Sequence, residues 1–318
     1  MSAQTCPACA SLAMEAVERM PVERIAAAWA RQDAWAGYEA EDVLRRVRAD
    51  VGADAVAFLR CARCGLEAAD PARAWSADNY PPEAYGLAWD HLAGLEVLRA
   101  EPPLRLLEIG CADGKFLERA AALGHRATGI DFSRAAVEAA RARGLDAHVA
   151  EVGQVRDFAG AEPFGAVALF QVIEHLEQPD AVFDAIARVA APDALLLVGC
   201  PAELRYTRRV RHADRIGRSD FWDYPPQHVL RWTPAALRIF LGRHDWRLES
   251  ARYEPFHAVG AAAHLVAVDG RLGGWYGRPL RRRLATAAWL ARLMAVRMRG
   301  RMTGIRLLAV ARREGGGR

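Results

Sequence analysis

The chain has 318 residues, 52% of them hydrophobic and 26% charged, with 43 basic and 39 acidic side chains and a formal net charge of +4. That length holds one sizeable domain plus a small one, and that apolar fraction excludes a disordered chain. No apolar run approaches the ~18 residues a spanning helix needs. The first ten residues, MSAQTCPACA, have neither the charged start nor the apolar stretch of a secretory signal, so a cytoplasmic location is expected.

The charge is uneven. Residues 202–318 carry +15, against −5 over 1–100 and −6 over 101–201. The basic third could face an anionic substrate, a nucleic acid or a membrane surface, or it could be solvated helix faces.

Four of the six cysteines form two pairs, Cys6-Pro7-Ala8-Cys9 and Cys61-Ala62-Arg63-Cys64. Two such knuckles can close one tetrahedral structural zinc site, although the gap between them is longer than usual. Four free thiols are the alternative; disulfides are not expected in a reducing compartment. Between the knuckles, 12–50 reads as helical: a turn over 12–20, then an apolar stripe of Val22, Ile25, Ala26 and Trp29, then another of Val43, Leu44 and Val47. Residues 1–69 thus read as a zinc-ribbon-like module with a helical insertion. The segment 70–101 is rich in proline and aromatics, including Tyr80 and Tyr85, and leads through a helix into Pro102-Pro103.

The stretch 104–131 reads as a buried parallel strand, a small-residue turn, a helix and a second strand ending on Asp131, 21 positions after Gly110. Glycines let a backbone approach a ligand, a helix N-terminus favours an anionic group, and a strand-end acid can accept ribose hydroxyls. The turn is Glu108-Ile109-Gly110-Cys111-Ala112-Asp113-Gly114, which does not fit the G-x-G-x-x-G of a dinucleotide fold. It resembles motif I of the class I S-adenosylmethionine-dependent methyltransferases, with Ala112 in place of the middle glycine. The resemblance implies a Rossmann-like α/β fold with a seven-stranded sheet. It also implies a loop shaped by Glu108, Gly110, Ala112 and Gly114, with Asp131 at the ribose, Phe132 among the cofactor-binding residues, and Glu151 and Val152 at the adenine. Under it, 70–101 is a lid and linker, and 102–318 is the methyltransferase domain.

Farther on, a strand over 164–170 is followed by Gln171-Val172-Ile173-Glu174-His175-Leu176. The E-H-L ending is similar to the small-molecule, ubiquinone-methyltransferase-like branch of the family. That implies Gln171 near the methionine part of the cofactor, and Glu174 and His175 near the transferred methyl. The usual acid at the start of that strand is Gly165 here. His228, Trp232, Thr233 and Leu237 resemble the family's H-x-x-x-(F/W)-T-x-x-x-L segment, whose loop covers the acceptor. Thr233 and Pro234 also read as a helix cap and first turn. Histidine suits proton removal near neutral pH, so His228 and His175, with Glu174, are the candidate catalytic residues. The insertions 201–231 and 256–303 read as caps. The second could instead form a dimer face or a basic amphipathic membrane contact.

The first expectation is therefore methyl transfer to a small molecule such as a sugar, polyketide or quinone. A second is an RNA methyltransferase with a zinc module, against which the acidic first 100 residues count. A third is a non-catalytic zinc-stabilised scaffold.

Overall fold

The apolar runs of the sequence become strands of a single large sheet. The computed structural model describes residues 5–30, 39–76, 86–155, 162–209, 221–268, 279–298 and 301–315. The N-terminal elements are β1 (Met14–Pro21), α1 (Val22–Trp29), α2 (Ala40–Val51), β2 (Ala55–Cys61) and β3 (Glu67–Asp70). There follow α3 (Trp89–Arg99), β4 (Arg105–Ile109), α4 (Lys115–Ala122), β5 (Arg126–Asp131), α5 (Arg134–Ala142), β6 (Asp146–Val149) and β7 (Phe164–Phe170). The rest are α6 (Pro179–Ala187), β8 (Ala190–Pro201), α7 (Tyr206–Arg209), β9 (Leu230–Arg231), α8 (Pro234–Arg243), β10 (Trp246–Tyr253), α9 (Ala258–Val268), α10 (Pro279–Arg297) and β11 (Arg306–Arg313).

The large sheet has the order β10-β11-β8-β7-β4-β5-β6. Strands β4 to β8 pair in parallel, and β11 runs antiparallel between β8 and β10. Leu106, Leu107, Ala166 to Leu169 and Leu195 to Val198 are buried, as expected of parallel strands covered on both faces. On one face α4 buries Phe116, Leu117 and Ala120, and α5 buries Val137 and Ala140 behind its Ser133 cap, which accepts the N–H of Ala136. The parallel crossovers bring the C-terminal ends of β4, β5 and β7 to one edge, where open α/β sheets bind ligands.

A smaller antiparallel sheet has the order β1-β2-β3-β9. It corrects the helical turn expected over 12–20: β1 pairs with β2 from Met14 opposite Cys61 to Pro21 opposite Ala55, with a bulge between Ala16 and Glu18. The ladder partner lies some forty positions away, and tertiary pairing overrides local helical spacing. The expected stripes hold: Val22, Ile25, Ala26, Trp29, Val43 and Val47 are buried.

The fourth strand of this sheet comes from late in the chain. Arg231 and Leu230 of β9 pair with Glu67 and Ala68 of β3. Trp29, Phe58 and the four paired cysteines share one hydrophobic cluster with Leu107 and Val167 of the large sheet. The division at 69 and 101 remains a division by proposed role: among the described residues this cluster runs across it. Tyr80 and Tyr85, with 210–220, 269–278 and 299–300 of the cap segments, lie outside the described residues.

Candidate active site and cysteine centre

The turn after β4 is held by its own backbone conformation. Gly110 and Gly114 have φ of 77° and 79°, and Ala112 also sits in the left-handed region at 47°. A Cβ on Gly110 would lie 2.6 Å from Val172 Cγ2, so glycine lets the turn press against the segment after β7. The N–H of Ala112 donates to Asp131 Oδ2 at 2.9 Å, and the N–H of Ser133 donates to Oδ1 at 2.8 Å. Asp131 thus locks the loop while keeping lone pairs for further donors. Burial raises its pKa, opposed by those two N–H groups.

Glu108 is buried beneath the loop, and its Oε2 has no hydrogen-bond partner among the described residues. Burial, then the charges of Asp131 and Asp113, push its carboxyl well above the usual carboxylate range. An orphaned buried oxygen beneath a glycine cradle, beside a strand-end acid, fits a polar nucleoside ligand such as S-adenosylmethionine. Phe132 and Glu151 are exposed beside this edge, and Val152 begins a short 3-10 turn after β6.

Gln171 takes a left-handed φ of 55°. Its Nε2 donates to Asp90 Oδ2 at 2.7 Å. Asp90, on α3, is fully buried. Burial opposes its charge, but His91, Arg306 and Gln171 together hold the carboxyl below its usual range. Asp90 is not marked in the sequence, where it reads as an ordinary acid in the first turn of a helix that also carries Glu96 and Arg99.

Glu174 and His175 lie in a 3-10 turn directly after β7 (Ile173–His175). The structure brings His228 to them from 53 and 54 positions away: the rings of His175 and His228 meet edge to face at 4.9 Å, and His228 Nε2 is 3.9 Å from Glu174 Oε1. Both carboxyl oxygens of Glu174 are buried without hydrogen-bond partners among the described residues. Burial is the main reason its pKa rises to about 8, so it is protonated near neutrality. Burial, then His228, lowers His175 to about 3, and its Nδ1 donates to the Gln227 carbonyl. Burial also lowers His228, partly countered by Asp223. Two neutral imidazoles and a neutral carboxyl therefore meet here, a set able to move a proton. One donor atom from each of these three residues lies within 4.8 Å of the others, a spacing a cation could also bridge.

Sulfur atoms of Cys6, Cys9, Cys61 and Cys64 also all lie within 4.8 Å of one another. Cys6 and Cys64 are 3.6 Å apart, and Cys9 and Cys61 are 3.5 Å apart. Four sulfurs bound to one zinc sit about 3.8 Å apart, given a Zn–S distance of about 2.3 Å. All four are buried and none is in a disulfide. Burial raises Cys6 to about 11; at Cys61 burial is outweighed by the N–H groups of Cys64 and Arg63, bringing it to about 7. The donor set fits a structural zinc. Cys111 and Cys200 are buried elsewhere in the large sheet's packing.

The sequence reading also missed a buried ionic cluster behind His228. Asp223 pairs with Arg205 at 2.5 Å and Arg231 at 3.0 Å, and Arg231 also reaches Glu18 and Glu67.

Residues 87–251, just over half of the chain, match a family described as a methyltransferase domain. Over 150 residues the chain is 31% identical to the ubiquinone biosynthesis O-methyltransferase of Caulobacter sp. (strain K31), covering 45% of this chain and 52% of that protein. Over 178 residues it is 32% identical to the enzyme of the same name from Caulobacter vibrioides, covering 54% and 63%. It thus spans about half to 63% of the length of these curated relatives. A structural likeness to the N-methyltransferase NodS from Bradyrhizobium japonicum WM9, solved with S-adenosyl-L-homocysteine, covers 70% of this chain and 85% of that one. At 18% identity and a TM-score of 0.42 it is too distant to inform the site. By its matched family, and with the sheet order and glycine turn described above, the chain belongs to the class I S-adenosylmethionine-dependent methyltransferase domain family.

Proposed function

We propose that this chain transfers a methyl group from S-adenosylmethionine to a hydroxyl of a small-molecule acceptor. The observation that carries the reading is the meeting of buried Glu174 and His228 with half-buried His175 at the end of β7, on the same sheet edge as the glycine turn and Asp131. The names of the O-methyltransferase relatives support the hydroxyl.

S-adenosylmethionine, when bound, supplies an electrophilic methyl on a sulfonium. In this reading Asp131 accepts from the ribose, and Glu108 offers its unpartnered oxygen beneath the turn. Gln171 presents its amide oxygen, since its nitrogen is committed to Asp90. His228 Nε2 takes the acceptor's hydroxyl proton, and Glu174 and His175 set the polarity around it. Water exclusion and alignment account for the rest of the acceleration.

The four cysteines hold a structural zinc in the same proposal. Helices α9 and α10 pack on each other, and Ala262, Leu265 and Leu293 join Tyr206 and Met302 in a buried cluster. That packing supports a cap more than a membrane contact. Among the described residues no helix is long and apolar enough to cross a membrane.

Calorimetry with S-adenosylhomocysteine tests the cofactor reading, and methyl transfer to a panel of catechols, phenols and sugars tests the acceptor class. Zinc-replete protein that binds no S-adenosylhomocysteine overturns the enzyme reading. Transfer only to RNA overturns the small-molecule one.

A further inference from the structure

The cysteine module reaches the candidate base through an unbroken line of charged contacts. His228 Nδ1 lies 3.7 Å from Asp223 Oδ1. Neither atom has a hydrogen-bond partner among the described residues. Asp223 is fully buried, and its other oxygen is held by Arg205 Nη2 at 2.5 Å and Arg231 Nε at 3.0 Å. Turning the carboxylate away from His228 would take an anionic partner from two buried guanidiniums, a costly arrangement.

Arg231 is pinned in turn. Its Nη2 donates to the backbone carbonyl of Asp223 at 2.8 Å, and its guanidinium lies 3.4 Å from the centre of the Phe58 ring. Its Nη1 donates to Glu18 of β1 and Glu67 of β3, each at 3.0 Å. Glu67 also pairs with Arg208 at 2.5 Å. Buried or nearly buried, the cations Arg205, Arg208 and Arg231 thus meet the anions Asp223, Glu67 and Glu18. Both glutamates sit on strands of the sheet that carries Cys61.

We propose that Asp223 is the positioning residue of His228, and that the N-terminal sheet, through Glu18, Glu67 and Arg231, fixes Asp223 in place. The proposal rests on the reading of His228 as the base. A neutral imidazole has one N–H. A carboxylate facing Nδ1 claims it and leaves the Nε2 lone pair free to take a proton. Asp223 then balances the imidazolium formed when the acceptor's O–H bond breaks, an Nε2–H bond forms, and the oxygen's electron pair goes to the methyl carbon as the carbon–sulfur bond breaks. The module becomes part of the acceptor site without touching the acceptor.

The test is a long-range proton–nitrogen correlation spectrum of the histidine rings in full-length, nitrogen-labelled protein, with His228 identified by its loss in His228→Gln. Wild type is expected in the Nδ1–H form. In Asp223→Asn the amide oxygen turns to the two arginines, its NH2 faces Nδ1, and the proton is expected to move to Nε2. Glu67→Gln is expected to give a mixture of the two forms, with S-adenosylhomocysteine affinity within about twofold of wild type. Wild type in the Nε2–H form overturns the positioning role whether or not any variant folds. So does an unchanged ring in an Asp223→Asn protein that still binds S-adenosylhomocysteine. An unchanged ring in Glu67→Gln overturns the part given to the module. Loss of S-adenosylhomocysteine binding in wild type would instead strike the methyltransferase reading, and the ring signal separates the two failures.

Discussion

Thr233 donates its hydroxyl to the carbonyl oxygen of Cys64 at 2.9 Å, and its own Oγ1 accepts the N–H of Ala236 at 3.0 Å. One side chain thereby caps α8 and fastens the second cysteine knuckle. At the far end of that helix, Arg243 donates to the carbonyls of Pro7 and Ala8 in the first knuckle, at 2.9 and 3.1 Å. Loss of an N-cap hydroxyl costs about 0.5–2 kcal/mol, and a second, half-buried bond goes with it. Thr233→Val is expected to lower unfolding stability by about 2–3 kcal/mol, read from urea denaturation, and Thr233→Ser to lose less than half of that.

Metal content gives a direct measure of the cysteine centre. Protein purified without chelators is expected to hold one zinc per chain. Cys61→Ser should lose it and at least about 3 kcal/mol of stability, since structural zinc binding is worth ~10 kcal/mol or more. Cys111→Ser and Cys200→Ser should keep full zinc content, because neither sulfur belongs to the cluster. A zinc-free wild type, or an unchanged Cys61→Ser, would remove the centre.

At the nucleoside edge, Asp131→Ala is expected to weaken S-adenosylhomocysteine binding by about 10- to 100-fold, the loss of hydrogen bonds to a charged acceptor. Its melting temperature should also fall, because the N–H groups of Ala112 and Ser133 lose their acceptor. Calorimetry below that melting point separates the two effects, and unchanged affinity would take Asp131 out of the site.

The buried carboxyl of Glu174 makes stability depend on pH. Its pKa is about 8 in the fold against 4.5 as a free side chain. Between those values unfolding releases a proton that the native state keeps, so rising pH destabilises the fold by up to about 1.4 kcal/mol per unit. The stabilisation is whole below 4.5 and is lost by the time pH has risen through 8. His175 acts on the other side. At about 3 against 6.5, its contribution is whole above 6.5 and falls away as pH drops towards 3. Glu174→Gln is therefore expected to flatten the decline between about pH 5 and 8 while leaving the acid limb intact. Urea unfolding across that range reads it, and curves that stay parallel to wild type would contradict it.

What could be read from the sequence followed from locality. The strand over 164–170 and Phe164–Phe170 coincide, because a continuous apolar run is a property of neighbours. The left-handed turn around Gly110 and the Thr233 cap were legible for the same reason. The strand at Met14–Pro21 was not, because its partner arrives only at Ala55. Asp90, Asp223 and Arg231 were hidden more deeply. Each reads as an ordinary surface charge until the fold brings its partner: Gln171 is 81 positions from Asp90, and Glu67 and Glu18 are 164 and 213 from Arg231. No periodicity encodes a pairing of that range.

The pairing of Arg231 with Glu67 across the edge of the small sheet also bears on how this gene could have evolved. The matched family region begins at residue 87, yet it contains β9 and the arginine that the earlier strands neutralise. Gene fission before that point would leave a sheet edge open and take Glu18 and Glu67 from Arg231, leaving it paired with Asp223. Arg231 and Glu67 thereby couple the segment before residue 87 to the family region, so that losing either leaves the other's buried charge with one partner fewer.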